Sequence, residues 1–201
     1  MVLGGMSMMS TFSRPGRAAA LAMALAGGAA NALAGPAADK AAEAEGLLQG
    51  GMTAEAIASF EAAADAFWDA LPLHLRTAVF ADSVDAYGQY QPRANSSFLS
   101  GDTATIYIEP AGYGFATAGG RYRVAFSTTL QIMTPGGLIL GESDDFGKLV
   151  WSGRTKSREV PLTISVALPA LKPGDYRLVL GLTDDATGET ETLTLPFAIV
   201  E

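Results

Sequence analysis

From Val79 onward the chain is a series of short segments in which apolar and polar residues alternate, many of them β-branched or aromatic. Turn sequences separate these segments, among them Gly119-Gly120, Pro135-Gly136-Gly137 and Lys172-Pro173-Gly174. The clearest strand candidates are 103–109, 121–133, 146–151, 160–168, 175–183 and 191–200. About seven short strands with no helix between them predict a mainly β fold, an antiparallel β-sandwich.

The segment Leu171-Lys172-Pro173-Gly174-Asp175-Tyr176 lies at the start of the penultimate predicted strand. It resembles the tyrosine corner of immunoglobulin-like and fibronectin-type sandwiches, in which a tyrosine hydroxyl bonds back to nearby backbone. The resemblance implies an immunoglobulin/fibronectin-like sandwich and a structural role for Tyr176.

A helical segment precedes the predicted sandwich. Gly50-Gly51 divides an Ala- and Glu-rich stretch from a longer one that ends before Pro72. In the second stretch apolar residues recur every three or four positions, which indicates an amphipathic helix. These residues are Ala54, Ile57, Phe60, Ala64, Phe67 and Leu71. The pattern resembles a single tetratricopeptide hairpin, but such repeats normally stack in groups of three or more. A helical hairpin packed on the following domain is the favoured interpretation.

The first 34 residues have the features of a secretory signal peptide. Arg14 and Arg17 precede an apolar run from Ala18 to Ala30, and Ala32-Leu33-Ala34 offers a cleavage site before Gly35. The run is short for a membrane span, which needs roughly 20 apolar residues. We therefore expect a periplasmic or secreted product without a membrane span after cleavage, although a retained anchor is the alternative. The domains predicted are 1–34 signal peptide, 35–78 helical hairpin and 79–201 β-sandwich.

Composition argues against several kinds of chemistry. The chain has no cysteine, so disulfides and thiolate sites are excluded, and its single histidine, His74, rules out a multi-histidine metal site within the chain. Removing Arg14 and Arg17 with the leader changes the net charge from −8 to −10, which disfavours nucleic-acid binding. We expect no cofactor, no metal and no enzymatic activity.

Tyr113 and Phe115 lie in a glycine-rich loop between two predicted strands. Aromatic rings presented from such a loop stack on sugars or anchor a protein partner. Tyr87, Tyr90 and Arg93 are candidates to extend the same surface. The alternative is that the loop aromatics fold back and cap the open end of the sandwich, and that the other three residues pack the helix onto the sheet.

Two charged clusters each have a structural and a functional interpretation. Arg154, Lys156 and Arg158 alternate at strand spacing, so they either bind an anion or protect an edge strand from aggregation, and the second is favoured. Asp184, Asp185 and Glu189 surround the last predicted turn, where acidic residues are common. They do not match the spacing of a calcium-binding loop.

Several blocks together resemble a group of exported bacterial proteins of unknown function that combine a short helical lead-in with an immunoglobulin-like β-sandwich. The blocks are residues 71–73, 79–80, 87–93, 101, 106–110, 171–176 and 195–200. The resemblance implies fold and export, and it carries no catalytic residue to this chain.

The sequence thus favours a non-catalytic interaction or scaffold module that binds another envelope protein. The alternative is a small-ligand or glycan-binding module that uses the aromatic loop around Tyr113 and Phe115.

Overall fold

The computed structural model describes residues 35–201, which form two helices followed by ten strands; the predicted leader lies outside these residues. The elements are α1 (Pro36–Gln49), α2 (Thr53–Asp69), β1 (His74–Ala86), β2 (Gln89–Pro92), β3 (Ser97–Leu99), β4 (Thr103–Ala111), β5 (Ala116–Ala118), β6 (Arg121–Met133), β7 (Ile139–Gly153), β8 (Leu162–Ala167), β9 (Gly174–Asp184) and β10 (Thr190–Val200).

The strands form two sheets that pack face to face. One sheet has the order β2-β1-β4-β8, and the other has the order β3-β10-β9-β6-β5 with β7 also paired to β6. Every pair is antiparallel except β3 with β10. The predicted mainly β fold, a sandwich preceded by a helical hairpin, is confirmed.

The core follows from the alternation seen in the sequence. Successive side chains of a strand point to opposite faces, so every second residue of β4, β8 and β9 enters the space between the sheets. These residues are Ala104, Ile106, Ile108, Leu162, Ile164, Val166, Leu178, Leu180 and Leu182, all of which are buried.

The structure has more strands than the sequence indicates. β2, β3 and β5 contain only three or four residues, too few for alternation to identify them. The sandwich also begins at His74 rather than at Val79. The residues that follow α2 already pair with β4, for example His74 with Ala111.

Tyr176 lies near the start of β9, and its hydroxyl donates to the carbonyl of Lys172 at 2.8 Å. Its ring stacks on Phe197 with centroids 5.6 Å apart. The hydroxyl therefore ties the loop before β9 to the strand, while the ring packs on the neighbouring strand β10.

We expect Tyr176→Phe to reduce the free energy of unfolding by about 1 kcal/mol, because it removes one hydrogen bond in a solvent-accessible position and keeps the stacked ring. Urea denaturation of residues 35–201 measures this loss. Tyr122→Phe is the control, since it removes a hydroxyl from another half-buried tyrosine on the same sheet. Equal stability of Tyr176→Phe and wild type would contradict the structural role of this hydroxyl.

Candidate interaction site

Trp68 attaches the helical hairpin to the sandwich. It lies in the last turn of α2, is buried, and donates from Nε1 to the carbonyl of Tyr113 at 2.8 Å. The two rings meet edge to face with centroids 5.0 Å apart. A buried indole with a satisfied N–H fixes both the position and the direction of α2.

Asp65 forms a second attachment, one turn before Trp68. It accepts from Lys156 Nζ at 3.1 Å and from the guanidinium of Arg158, which also lies 5.9 Å from the Trp68 ring. Lys156 and Arg158 belong to the loop between β7 and β8, so they do not form the edge-strand row that their spacing predicts. All three side chains are about one-third exposed, and such pairs stabilise a protein modestly.

The contact between the two helices covers a different row of α2 from the apolar stripe. The residues of α2 that are buried ahead of Trp68 are Ala56, Ser59 and Ala63, and Ser59 Oγ donates to the α1 carbonyl of Lys40 at 3.0 Å. One helical residue corresponds to a rotation of about 100°. The stripe one residue further along is therefore left in solvent.

Three of the four large residues in this stripe lie in solvent, whereas Leu71 packs against the core. Ile57 is 56% exposed, Phe60 is 63% exposed and Phe67 is 60% exposed. Scattered apolar residues on a surface are ordinary, but a contiguous row of large ones marks an interaction surface.

The exposed stripe borders a groove between α1 and α2, which we call the hairpin groove. It has a volume of about 470 Å³ and is lined by Ala44, Glu45, Leu48, Ala56, Ile57, Phe60 and Glu61. Leu48 is 61% exposed and adds an aliphatic side chain from α1. The groove thus has an apolar floor and one carboxylate from each helix.

Tyr113 is a core side chain rather than an exposed aromatic. It is 1% exposed, its hydroxyl donates to the carbonyl of Ser157 at 2.8 Å, and burial raises its pKa. The glycine before it is required, because Gly112 has φ +74° and a Cβ there would lie 2.2 Å from the carbonyl oxygen of Pro72. The loop folds inward against the end of α2, as the capping alternative describes.

Phe115 is half-buried in the same cluster. Its ring packs edge to face against Tyr113 and Tyr122, with centroids 5.5 and 6.2 Å away, and Lys156 Nζ lies 5.5 Å from its centre. The loop therefore supplies part of the surface against which the end of α2 packs.

Tyr87 and Tyr90 lie at the turn between β1 and β2, and both are half-buried. Tyr90 stacks on Tyr107 with centroids 4.0 Å apart, and Arg76 donates to the Tyr87 hydroxyl. Burial raises the pKa of Tyr87, and it raises that of Tyr107 to about 12. Tyr90 therefore packs within its own sheet, whereas Arg76 joins Tyr87 to the carbonyl of Arg158 at 3.4 Å, next to the Ser157 carbonyl that accepts from Tyr113.

Arg93 has its own contacts beyond β2. It pairs with Asp82 at 3.0 Å, donates to the carbonyl of Ser97 at 2.9 Å, and lies 4.4 Å from the centre of the Phe98 ring. The five residues predicted to form one ligand surface are thus one buried tyrosine and four half-buried side chains with contacts inside the protein.

The acidic residues of the last hairpin hold backbone groups. Asp184 is fully buried and accepts from Gly114 N at 2.7 Å, Ala186 N at 3.0 Å and Thr187 Oγ1 at 2.9 Å. Glu189 accepts from Leu73 N at 2.6 Å. Asp184 therefore joins the β9–β10 hairpin to the loop that contacts Trp68, and Glu189 joins it to the segment that follows α2. Residues 35–201 contain no cluster of three or more side chains placed to hold a metal ion.

Sequence reasoning did not identify Asp65 and Trp68 as the residues that orient the hairpin. Their spacing of three places both on one face of α2, which was the available signal. Their partners are 91 and 45 positions away along the chain and could not be inferred from local pattern.

Within the described residues, no helix is both long and apolar enough to cross a bilayer.

Several solved structures are similar to this chain at low identity. CopC from Methylosinus trichosporium OB3b is 14% identical over 61% of this chain and 93% of its own, with a TM-score of 0.29. An AA10 lytic polysaccharide monooxygenase from Streptomyces lividans is 17% identical over 54% of this chain and 61% of its own, with a TM-score of 0.33. A conjugative transposon lipoprotein from Bacteroides eggerthii is 9% identical over 63% of this chain and 94% of its own, with a TM-score of 0.28. No protein-family model and no curated protein sequence matches the chain.

Proposed function

We propose that this chain is a non-catalytic, exported interaction module that binds another protein of the cell envelope through its helical hairpin. The observation that carries the proposal is the row of large apolar side chains, Ile57, Phe60 and Phe67, left in solvent on a helix that Trp68 fixes in place. The leader-like sequence of residues 1–34 supports the envelope as the compartment.

A fixed hairpin is well suited to binding. The attachment through Trp68 and Asp65 orders α2 before a partner arrives, so little conformational entropy is lost on association. The exposed rings provide the large apolar contact area that dominates protein interfaces. The sandwich then serves to present the groove.

The test compares proteins captured from periplasmic extract by residues 35–201 and by two variants. Phe60→Glu puts a charge into the hairpin groove, whereas Ala62→Glu adds the same charge at an exposed position of α2 outside it. We expect a specific partner to be retained by wild type and Ala62→Glu, and its recovery to fall at least about tenfold with Phe60→Glu.

Both positions are exposed, so we expect the melting temperatures of the two variants to stay close to that of the wild type. Recovery of the same partners by wild type and Phe60→Glu would show that the groove is not the binding surface, and the proposed function would be wrong.

A further inference from the structure

The shape of the hairpin groove selects a helix as its occupant. Ile57, Phe60 and Phe67 extend over eleven residues of α2, and the ten steps between the first and the last span about 15 Å at the rise of an α-helix. Helices satisfy their own backbone groups, so the groove offers no row of free N–H and C=O groups to an extended peptide. A third helix laid along two antiparallel ones contacts both through its side chains, as in helix-in-groove recognition.

The charges of the hairpin indicate which residues would flank the apolar face of the bound helix. Residues 36–69 contain seven carboxylates and one basic residue, Lys40, which is paired with Glu43. Two of these acidic residues, Glu45 and Glu61, are among the residues that line the groove and are exposed; Glu61 also borders Arg154, Lys156 and Arg158 of the β7–β8 loop. A partner with lysine or arginine beside its apolar face would place opposite charges against both.

The same charges disfavour two other occupants. In a dimer formed through this face, Glu45 and Glu61 of both copies would approach one another, and each mature copy carries a net charge of −10 after the loss of Arg14 and Arg17. Anionic lipid headgroups would likewise be repelled.

We infer that the hairpin groove binds an amphipathic helix of another protein, one whose apolar face is flanked by lysine or arginine. This inference rests on the proposed function and names the class of partner. Apolar side chains of the helix contact Leu48, Ile57 and Phe60, and its basic flanks pair with Glu45 and Glu61.

The test uses residues 35–201 and two designed helical peptides as probes. Both peptides present the same leucine face, one flanked by lysine and the other by glutamate. Isothermal titration calorimetry is carried out at 50 mM and at 500 mM NaCl, because salt screens exposed charge pairs. We expect the lysine-flanked peptide to bind, and to bind about tenfold more weakly in high salt. We expect no binding of the glutamate-flanked peptide.

Substitutions of Glu45 and Glu61 test whether these two charges contribute to peptide binding. We expect Glu45→Gln combined with Glu61→Gln to weaken the lysine-flanked peptide about fivefold to tenfold. The matched control is Asp39→Asn combined with Glu55→Gln, which removes the same charge from exposed hairpin positions outside the groove and should change binding little. Phe60→Glu should abolish binding altogether.

Equal affinity for the two peptides, or no affinity for the lysine-flanked one, would overturn the inference. So would a dimer seen by sedimentation that Phe60→Glu dissociates, since the occupant would then be a second copy. If capture from periplasm depends on Phe60 but is indifferent to the Glu45 and Glu61 substitutions, the proposed function stands and only the basic helix is wrong.

Discussion

Trp68→Ala is expected to lower the free energy of unfolding of residues 35–201 by about 3–5 kcal/mol, the usual cost of removing a large buried aromatic side chain. The indole fills the junction between α2 and the sandwich, and its loss also leaves the carbonyl of Tyr113 without its 2.8 Å donor. Urea denaturation monitored by circular dichroism measures the loss.

Phe67→Ala is the control for this experiment. Phe67 is the adjacent residue of α2 and is 60% exposed, so its removal should cost less than about 1 kcal/mol. Hydrogen exchange provides a second measurement, because detachment of the hairpin should speed exchange in α1 and α2 more than in β9. Equal losses for the two variants would mean that Trp68 does not fix the hairpin.

Asp184→Ala is expected to cost about 3–5 kcal/mol. A fully buried carboxylate accepts three hydrogen bonds there, and its removal leaves the amides of Gly114 and Ala186 and the hydroxyl of Thr187 without that acceptor. Each buried polar group left unsatisfied costs about 1–3 kcal/mol. Thermal and urea unfolding both report the change.

The adjacent Asp185→Ala is the matched control. Asp185 accepts from Ser127 Oγ at 2.7 Å and lies 3.6 Å from Lys148, but it is exposed, so we expect a loss below about 1 kcal/mol. The loss of stability for Asp184→Asn should lie between those of Asp184→Ala and Asp185→Ala, because the amide retains one acceptor oxygen. If Asp184→Ala were no more harmful than Asp185→Ala, the buried carboxylate would not hold this junction together.

The sandwich could be predicted from sequence because its strands repeat a simple pattern. Leu178, Leu180 and Leu182 are buried and alternate with exposed or half-buried residues along β9, and alternation of this kind follows from the geometry of an extended backbone. The Lys172-Pro173-Gly174 turn likewise indicates where β9 begins. Three-residue strands such as β3 carry too few residues for any pattern, and they were missed.

The direction of the hairpin could not be predicted in the same way. Ala56, Ser59 and Ala63 recur at helical spacing just as Ile57, Phe60 and Phe67 do, and periodicity does not say which row is covered. Hydrophobicity favours burial of the larger row. The close approach of α1 to the smaller row reverses that preference, and it depends on contacts between the two helices, such as that of Ser59 with Lys40, 19 positions away.

The glycine-rich loop was misleading for a related reason. Glycine suggests an exposed turn, but Gly112 lies where the loop backbone passes close to Pro72. Tyr113 consequently enters the core, and its hydroxyl reaches the carbonyl of Ser157, 44 positions away. Local sequence contains no information about such a partner.

The bond between Leu73 N and Glu189 spans 116 positions, and it has a consequence for the order in which the molecule folds. The hairpin is synthesised before the strands, yet the surface against which it packs is built from residues near 113, 157, 184 and 189. Contacts of such separation form late and slow folding. The hairpin therefore reaches its final position late in folding, and Trp68 remains exposed until the segments around residues 113 and 158 are in place. During that interval the nascent chain exposes more apolar surface than the native protein does, which is the kind of surface that chaperones bind.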